Sequence, residues 1–320
     1  NNLPAGTYNI TVSDGNGCSY TTSATLINPP SVTATISVTS DYFGQDISCY
    51  SNSDGSAIVN PTGGTIPYTY QWSISAGSQT TQEAYNLPAG IHYVTIFDAN
   101  NCQYVASITL NEPDAIDINI TINNHVRCYG ESNGSVVAAV SGGTGPYIYT
   151  WNDPGITHMP YNNNLPAGTW TLTVEDANGC SATEQVTITQ PNLLDVQFVN
   201  VDDVSCFGLS DGSATALVTG GTAPYFYEWD DPGHSTSAGI SGLPMGTYNV
   251  TITDANGCTL TDFIYIAQPD PLEVTTSSQP VQCGVSLGSV SAQVSGGTLP
   301  YEYLWTGGYN SQQVPGLISG

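Results

Sequence analysis

The chain has 320 residues, with one Arg, no Lys and 26 acidic side chains, for a net charge of −25; it presents no cationic surface, and nucleic acid and anionic membranes repel it. Only 8% of residues are charged but 39% are hydrophobic, so the chain is apolar enough to fold and is not disordered, with a surface rich in hydroxyls and amides. Apolar and polar residues alternate between Gly, Pro and Asn punctuation and no 3.6-residue period is sustained, which predicts an all-β protein.

Internal repetition organises the chain. Leu-Pro-x-Gly turns place Pro4, Pro88, Pro166 and Pro244, and a Cys follows Asn-Gly or Asn-Asn at Cys18, Cys102, Cys180 and Cys258. A second cysteine series runs Cys49, Cys128, Cys206 and Cys283, and Gly-Gly pairs beginning at Gly63, Gly142, Gly220 and Gly296 are each followed by a Trp: Trp72, Trp151, Trp229 and Trp305. The period is about 78 residues, one small sandwich domain. Boundaries fall at Pro29-Pro30, Glu112-Pro113, Gln190-Pro191 and Gln268-Pro269. They divide the chain into the C-terminal part of a repeat (1–30), three immunoglobulin-like repeats (31–112, 113–190, 191–268) and the N-terminal part of another (269–320).

In repeat 191–268 the period-2 pattern assigns faces strand by strand. A first strand covers roughly 193–205. The second, 213–219, turns Ala214, Ala216 and Val218 inward, in phase with Val136, Ala138, Val140 and with Val290, Ala292, Val294. The third, 224–229, sets Tyr225, Tyr227 and Trp229 on one face, with Trp229 and its three equivalents expected in the core. Leu243-Pro244-Met245-Gly246-Thr247-Tyr248 then makes a tyrosine corner, after which Tyr248, Val250 and Ile252 point inward. Asp254-Ala255-Asn256-Gly257-Cys258 reads as a hairpin turn in which Asn-Gly supplies the positive φ values, and the last strand runs to Ile266.

Gly-Gly-Thr-x-Pro-Tyr-x-Tyr-x-Trp, Leu-Pro-x-Gly-Thr-Tyr-x-Val-Thr and Asp-Ala-Asn-Gly-Cys together resemble the SprB-type repeat of Bacteroidota surface adhesins, over essentially the whole chain. Departures are local: Trp170 stands for the corner Tyr, Ile91-His92-Tyr93 for Thr-Tyr-x, Asn100-Asn101 for Asn-Gly, and Cys283 lacks the aromatic-Gly that follows Cys128 and Cys206. The resemblance implies a very large extracellular cell-surface protein, exported by type IX secretion and serving adhesion, gliding motility or filament formation.

Eight Cys without a CxxC pair read as disulfides made in an oxidising compartment. In immunoglobulin topology the cysteine before the second strand and the one after the fifth lie most of a domain apart, roughly 23 Å for seven strand residues, whereas a disulfide needs Cα atoms within about 7 Å. In a head-to-tail rod, bonds between repeats follow: Cys49 with Cys180 and Cys128 with Cys258, leaving Cys18, Cys102, Cys206 and Cys283 with partners outside this stretch. A different strand order would instead give Cys49–Cys102, Cys128–Cys180 and Cys206–Cys258.

Catalysis needs convergent titratable groups. His92, His125, His158 and His234 recur at no fixed repeat position and read as surface or edge-strand histidines; no enzyme is expected. No cofactor is expected either, although Asp14, Asp98, Asp176 and Asp254, with Asp54, Glu131 and Asp211, could bind Ca2+ at repeat junctions. Expected partners are neighbouring repeats, surface polysaccharide and other filament chains, with no nucleic acid and no membrane insertion. The favoured function is a structural stalk; the rival is a set of polysaccharide-binding modules, marked by exposed aromatics at equivalent positions in successive repeats.

Overall fold

A computed structural model describes residues 3–281 and 287–318. The chain divides into two compact units, one of residues 1–122, 136–162 and 169–186, the other of 123–135, 163–168 and 187–320. Apart from a single 3-10 turn at Ile74–Ala76, every regular element among the described residues is a strand.

The first unit opens with an antiparallel hairpin, β1 (Gly6–Ser13) and β2 (Ser19–Leu26). A complete sandwich follows: β3 (Thr33–Val38), β4 (Gly55–Thr62), β5 (Thr69–Trp72), β6 (Glu83–Leu87), β7 (Gly90–Phe97) and β8 (Gln103–Leu110). Its sheets are β3-β4-β6 and β5-β7-β8, the two-sheet division of an immunoglobulin domain with one edge strand fewer. The core holds Ile47, Trp72, Leu87, Val94, Ile96 and Leu110, all almost fully buried.

The middle repeat supplies β9 (Asp117–Asn124), β10 (Gly134–Ser141), β11 (Ile148–Trp151), β12 (Tyr161–Leu165), β13 (Gly168–Glu175) and β14 (Ser181–Ile188), in sheets β12-β10-β9 and β11-β13-β14.

The second unit repeats the sandwich with β15 (Asp195–Asp202), β16 (Gly212–Thr219), β17 (Phe226–Trp229), β18 (Gly239–Leu243), β19 (Gly246–Thr253) and β20 (Thr259–Ile266), in sheets β15-β16-β18 and β17-β19-β20. It ends in a three-stranded sheet of β21 (Glu273–Gln279), β22 (Gly288–Ser295) and β23 (Gln313–Leu317).

In β16, Ala214 and Ala216 are buried while Leu217 is exposed. Their small side chains leave room for Trp229, whose indole N–H donates to Ser237 O at 3.0 Å and whose ring meets Phe198 of β15 at 6.0 Å between centroids. Burying the ring without leaving that N–H unpaired is what makes Trp tolerable here. Trp72 and Trp151 do the same with Thr81 O and Met159 O. Gly212 opens β16 because a side chain there would strike Ile266 Cγ2, 2.6 Å from the Cβ position.

Four details differ from the sequence reading. β15 is shorter than 193–205, and β17 starts at Phe226 rather than at Pro224. In the β19–β20 turn only Gly257 has positive φ (81°); Asn256 keeps ordinary φ and its side chain serves elsewhere. His92 is not a surface residue. It is buried at the corner position of Tyr248, and its Nε2 lies 2.8 Å from Pro88 O, just as the Tyr248 hydroxyl donates to Pro244 O at 2.8 Å.

Candidate functional site: the disulfide-bonded repeat junction

Each repeat has two chemically distinct ends. At one, the Gly-Gly-Thr-x-Pro-Tyr segment folds on itself: the Tyr225 hydroxyl donates to Gly220 O at 2.6 Å, and Tyr68, Tyr147 and Tyr301 bond Gly63, Gly142 and Gly296 in the same way. Gly220 and Gly221 take φ of 72° and 54°, and a Cβ on Gly220 would collide with Leu193 O, so two glycines are required. The Asp of Asp-Ala-Asn-Gly-Cys then joins this loop to the last hairpin. Asp254 Oδ1 accepts N–H bonds from Asn256 and Cys258, both at 2.9 Å, and Oδ2 accepts the Thr222 N–H at 2.8 Å. Asp98 and Asp176 repeat the pattern. Burial pushes the Asp98 carboxyl up, but backbone N–H donors from Cys102, Thr65 and Asn100 outweigh it and hold it below the usual range.

At the other end, the loop between the first two strands carries the second cysteine series. Asp54, Asn133 and Asp211 accept the N–H of the residue preceding each cysteine, at 3.1, 2.9 and 3.0 Å. The residue before each linker proline closes the loop from the opposite side: Ser51 N–H donates to Glu112 at 2.6 Å, Gly130 N–H to Gln190 at 2.9 Å and Gly208 N–H to Gln268 at 3.0 Å. This explains why Glu or Gln precedes that proline.

The two kinds of end meet at the cysteines. Within the first unit Cys49 is bonded to Cys180, and within the second Cys128 to Cys258, with Cα atoms 5.7 Å apart in each. Both bonds therefore tie a repeat to its successor. Beside them Asn178 Nδ2 donates to Ser48 O at 3.1 Å, and Asn256 Nδ2 to Arg127 O at 3.0 Å. These asparagines were missed as junction residues in the sequence reading. Their recurrence two positions before the cysteine, at Asn16, Asn100, Asn178 and Asn256, is the sequence signal that marks them. Cys18, Cys102 and Cys206 are free and exposed, and Cys283 lies outside the described residues.

As for other chemistry, the Asp98, Asp176 and Asp254 carboxylates spend their oxygens on backbone donors, and no group of three or more His, Cys, Asp or Glu is placed to hold a metal ion among the described residues. The histidines are dispersed: His125 Nδ1 lies 3.1 Å from the Thr189 N–H and hydroxyl, and His158 Nδ1 lies 2.9 Å from Tyr149 O. Trp305, in the 269–320 segment, is half-buried, with its N–H donating to Ser311 O at 2.9 Å.

The SprB repeat family matches four times, over residues 44–77, 120–155, 199–233 and 275–310. Each match contains one cysteine of the second series, Cys49, Cys128, Cys206 or Cys283, and the Trp that follows the Gly-Gly pair. No curated protein matches the chain. Among solved structures, the N-terminal eight Ig domains of Down Syndrome Cell Adhesion Molecule isoform 1.30.30 align at 11% identity and a TM-score of 0.28, over 93% of this chain and 55% of that one. The tetra-tandem repeat in the extending region of a large adhesion protein aligns at 14% identity and 0.31, over 82% and 81%. Protocadherin gammaB7 EC3-6 aligns at 12% and 0.27, over 82% of each. Values this low transfer no function. The four family matches, in step with the structural repeats, make this chain a SprB-type repeat region.

Proposed function

We propose that the chain is a non-enzymatic, load-bearing stalk segment of a large extracellular surface adhesin, used in adhesion or gliding. The observation that carries this reading is the pair of disulfides joining successive repeats across sequence separations of 131 and 130 residues. A bond of that kind routes tension past the strands between its cysteines, a property a stalk needs and a catalyst does not. Cysteine oxidation also supports a location outside the cytosol. The test is mechanical and chemical together. Oxidised single molecules should return to the same length over repeated stretching, and the chain should turn over no glycoside, ester or peptide substrate, before or after replacing all four His by Ala. A turnover lost with any of those His replacements overturns the proposal.

A specific observation favours a second reading. Tyr50, Tyr129 and Phe207, each directly after a cysteine of the second series, are exposed at equivalent positions in successive repeats, the pattern expected of stacking sites for sugar rings. Retention on immobilised surface polysaccharide, lost in the Tyr50→Ala, Tyr129→Ala, Phe207→Ala triple variant, supports binding modules. Retention that is absent, or unchanged by the substitutions, removes this reading.

A further inference from the structure

An endopeptidase specific for basic side chains has one place to cut this chain: after Arg127, which is its only Lys or Arg. Arg127 directly precedes the junction cysteine Cys128, where the other two complete repeats have Ser48 and Ser205. Its side chain is exposed in the loop between β9 and β10, so the recognition element is on display. Hydrolysis needs more than that. A serine or cysteine endopeptidase holds the main chain around the scissile bond extended and takes the arginine carbonyl between its own N–H donors. Here that carbonyl already has a donor, because Asn256 Nδ2 bonds Arg127 O at 3.0 Å. The flanking main chain is held too. Val126 is buried and its N–H donates to Thr189 O at 3.0 Å, Arg127 N–H donates to Asn133 Oδ1 at 2.9 Å, and Glu131 N–H donates to Cys128 O at 3.1 Å. The clamp depends on the disulfide: Asp254 Oδ1 fixes Asn256 and Cys258 in one turn, and the Cys128–Cys258 bond ties that turn to the loop carrying Arg127.

We propose that the Arg127–Cys128 peptide bond is a redox-gated cleavage site for an arginine-specific endopeptidase, closed while Cys128 is bonded to Cys258 and opened when a small thiol reduces that bond. In the opening step two thiol molecules give up two electrons and two protons and leave as their own disulfide, while Cys128 and Cys258 become free thiols. The loop is then no longer tied to the turn that carries Asn256, and Arg127 O is released to the protease. In the cutting step water adds across the amide, leaving a carboxylate on Arg127 and an amine on Cys128. Cys49 and Cys180 lie on opposite sides of the cut. A nicked but oxidised chain therefore stays one covalent piece, and covalent continuity between 1–127 and 128–320 is lost only after both reduction and hydrolysis. Taken with the stalk reading, on which this consequence rests, the junction is a release point that neither a protease nor a reductant opens alone.

The test is limited digestion of the whole chain with trypsin, followed by mass spectrometry and by gels run with and without thiol. The oxidised chain should resist. Reduction with dithiothreitol and alkylation before digestion, or the Cys258→Ser substitution, should speed cutting after Arg127 on the order of tenfold or more, since the population of the opened loop sets the rate. Cys180→Ser, which removes only the other disulfide, should leave the rate unchanged. Asn256→Ala, with both disulfides intact, should raise it severalfold by freeing the carbonyl. Trp229 and Tyr248 are buried in the adjoining repeat, and chymotrypsin should still fail to cut after either in Cys258→Ser, which separates a local opening from unfolding of the repeat. Oxidised chain cut as fast as reduced chain, Cys180→Ser as susceptible as Cys258→Ser, an unchanged rate in Asn256→Ala, or chymotryptic cutting after Trp229 that accompanies tryptic cutting in Cys258→Ser would each overturn the proposal. The stretching experiment tests the stalk reading separately, so the two can fail independently.

Discussion

Pulled by its ends, the oxidised chain can lengthen only along the shortest covalent path between them. That path runs from residue 1 to Cys49, crosses to Cys180, returns along the chain to Cys128, crosses to Cys258 and continues to residue 320. It contains about 160 residues, against about 320 after reduction, so at roughly 3.3–3.6 Å per residue the contour length rises from about 550 Å to about 1,100 Å. That change alone does not identify the pairing, because three bonds within repeats would shorten the chain by nearly as much. Single substitutions do. Cys206→Ser leaves the oxidised length unchanged, since Cys206 is in neither bond. Cys128→Ser leaves a path from Cys49 to Cys180 and onward, longer by only about 26 residues or about 90 Å. Force spectroscopy of single tethered molecules resolves both. A lengthening of about 180 Å in Cys206→Ser or in Cys128→Ser, the release of a loop of about 52 residues, would refute the junction argument.

Trp229→Ala should destabilise its repeat by about 3–5 kcal/mol in a urea titration; a shift under about 1 kcal/mol would mean that the ring is not packed as described. His92→Phe should cost about 1 kcal/mol, the worth of the corner bond, while His92→Tyr restores a hydroxyl for Pro88 O and should match or exceed the parent; equal stability of Phe and Tyr variants contradicts this. Asp98, Asp153, Asp211 and Asp231 titrate below their ordinary 3.8: for Asp98, Asp153 and Asp231 hydrogen-bond donors overcome the upward push of burial, and for Asp211 the Ser205 hydroxyl leads. Folded values below unfolded ones stabilise fully above about pH 4 and lose that contribution as pH falls through the depressed values. Asp98→Asn should therefore flatten part of the acid limb of stability against pH, and an unchanged limb would show that Asp98 contributes nothing to it.

Local chemistry made much of the fold legible in the sequence. Alternation in 213–219 and 224–229, the paired glycines at 220–221 and the Leu-Pro-x-Gly-Thr-Tyr corner each demand one conformation, because side-chain period, positive φ and the reach of a tyrosine hydroxyl are decided within a few residues. The same segments recur, so the repeat and the family resemblance were readable too. What only the tertiary structure decided lies where residues far apart in the chain meet. His92 is buried because the corner needs a hydrogen-bonding ring and imidazole reaches Pro88 O, which no local pattern around an isolated His reveals. Asn178 and Asn256 serve the junction because their amides find carbonyls 130 and 129 residues away. The cysteines pair between repeats for the same reason: sequence spacing allows both pairings, and only the packing of one repeat's first loop against the next repeat's last hairpin brings the chosen Cα atoms to 5.7 Å.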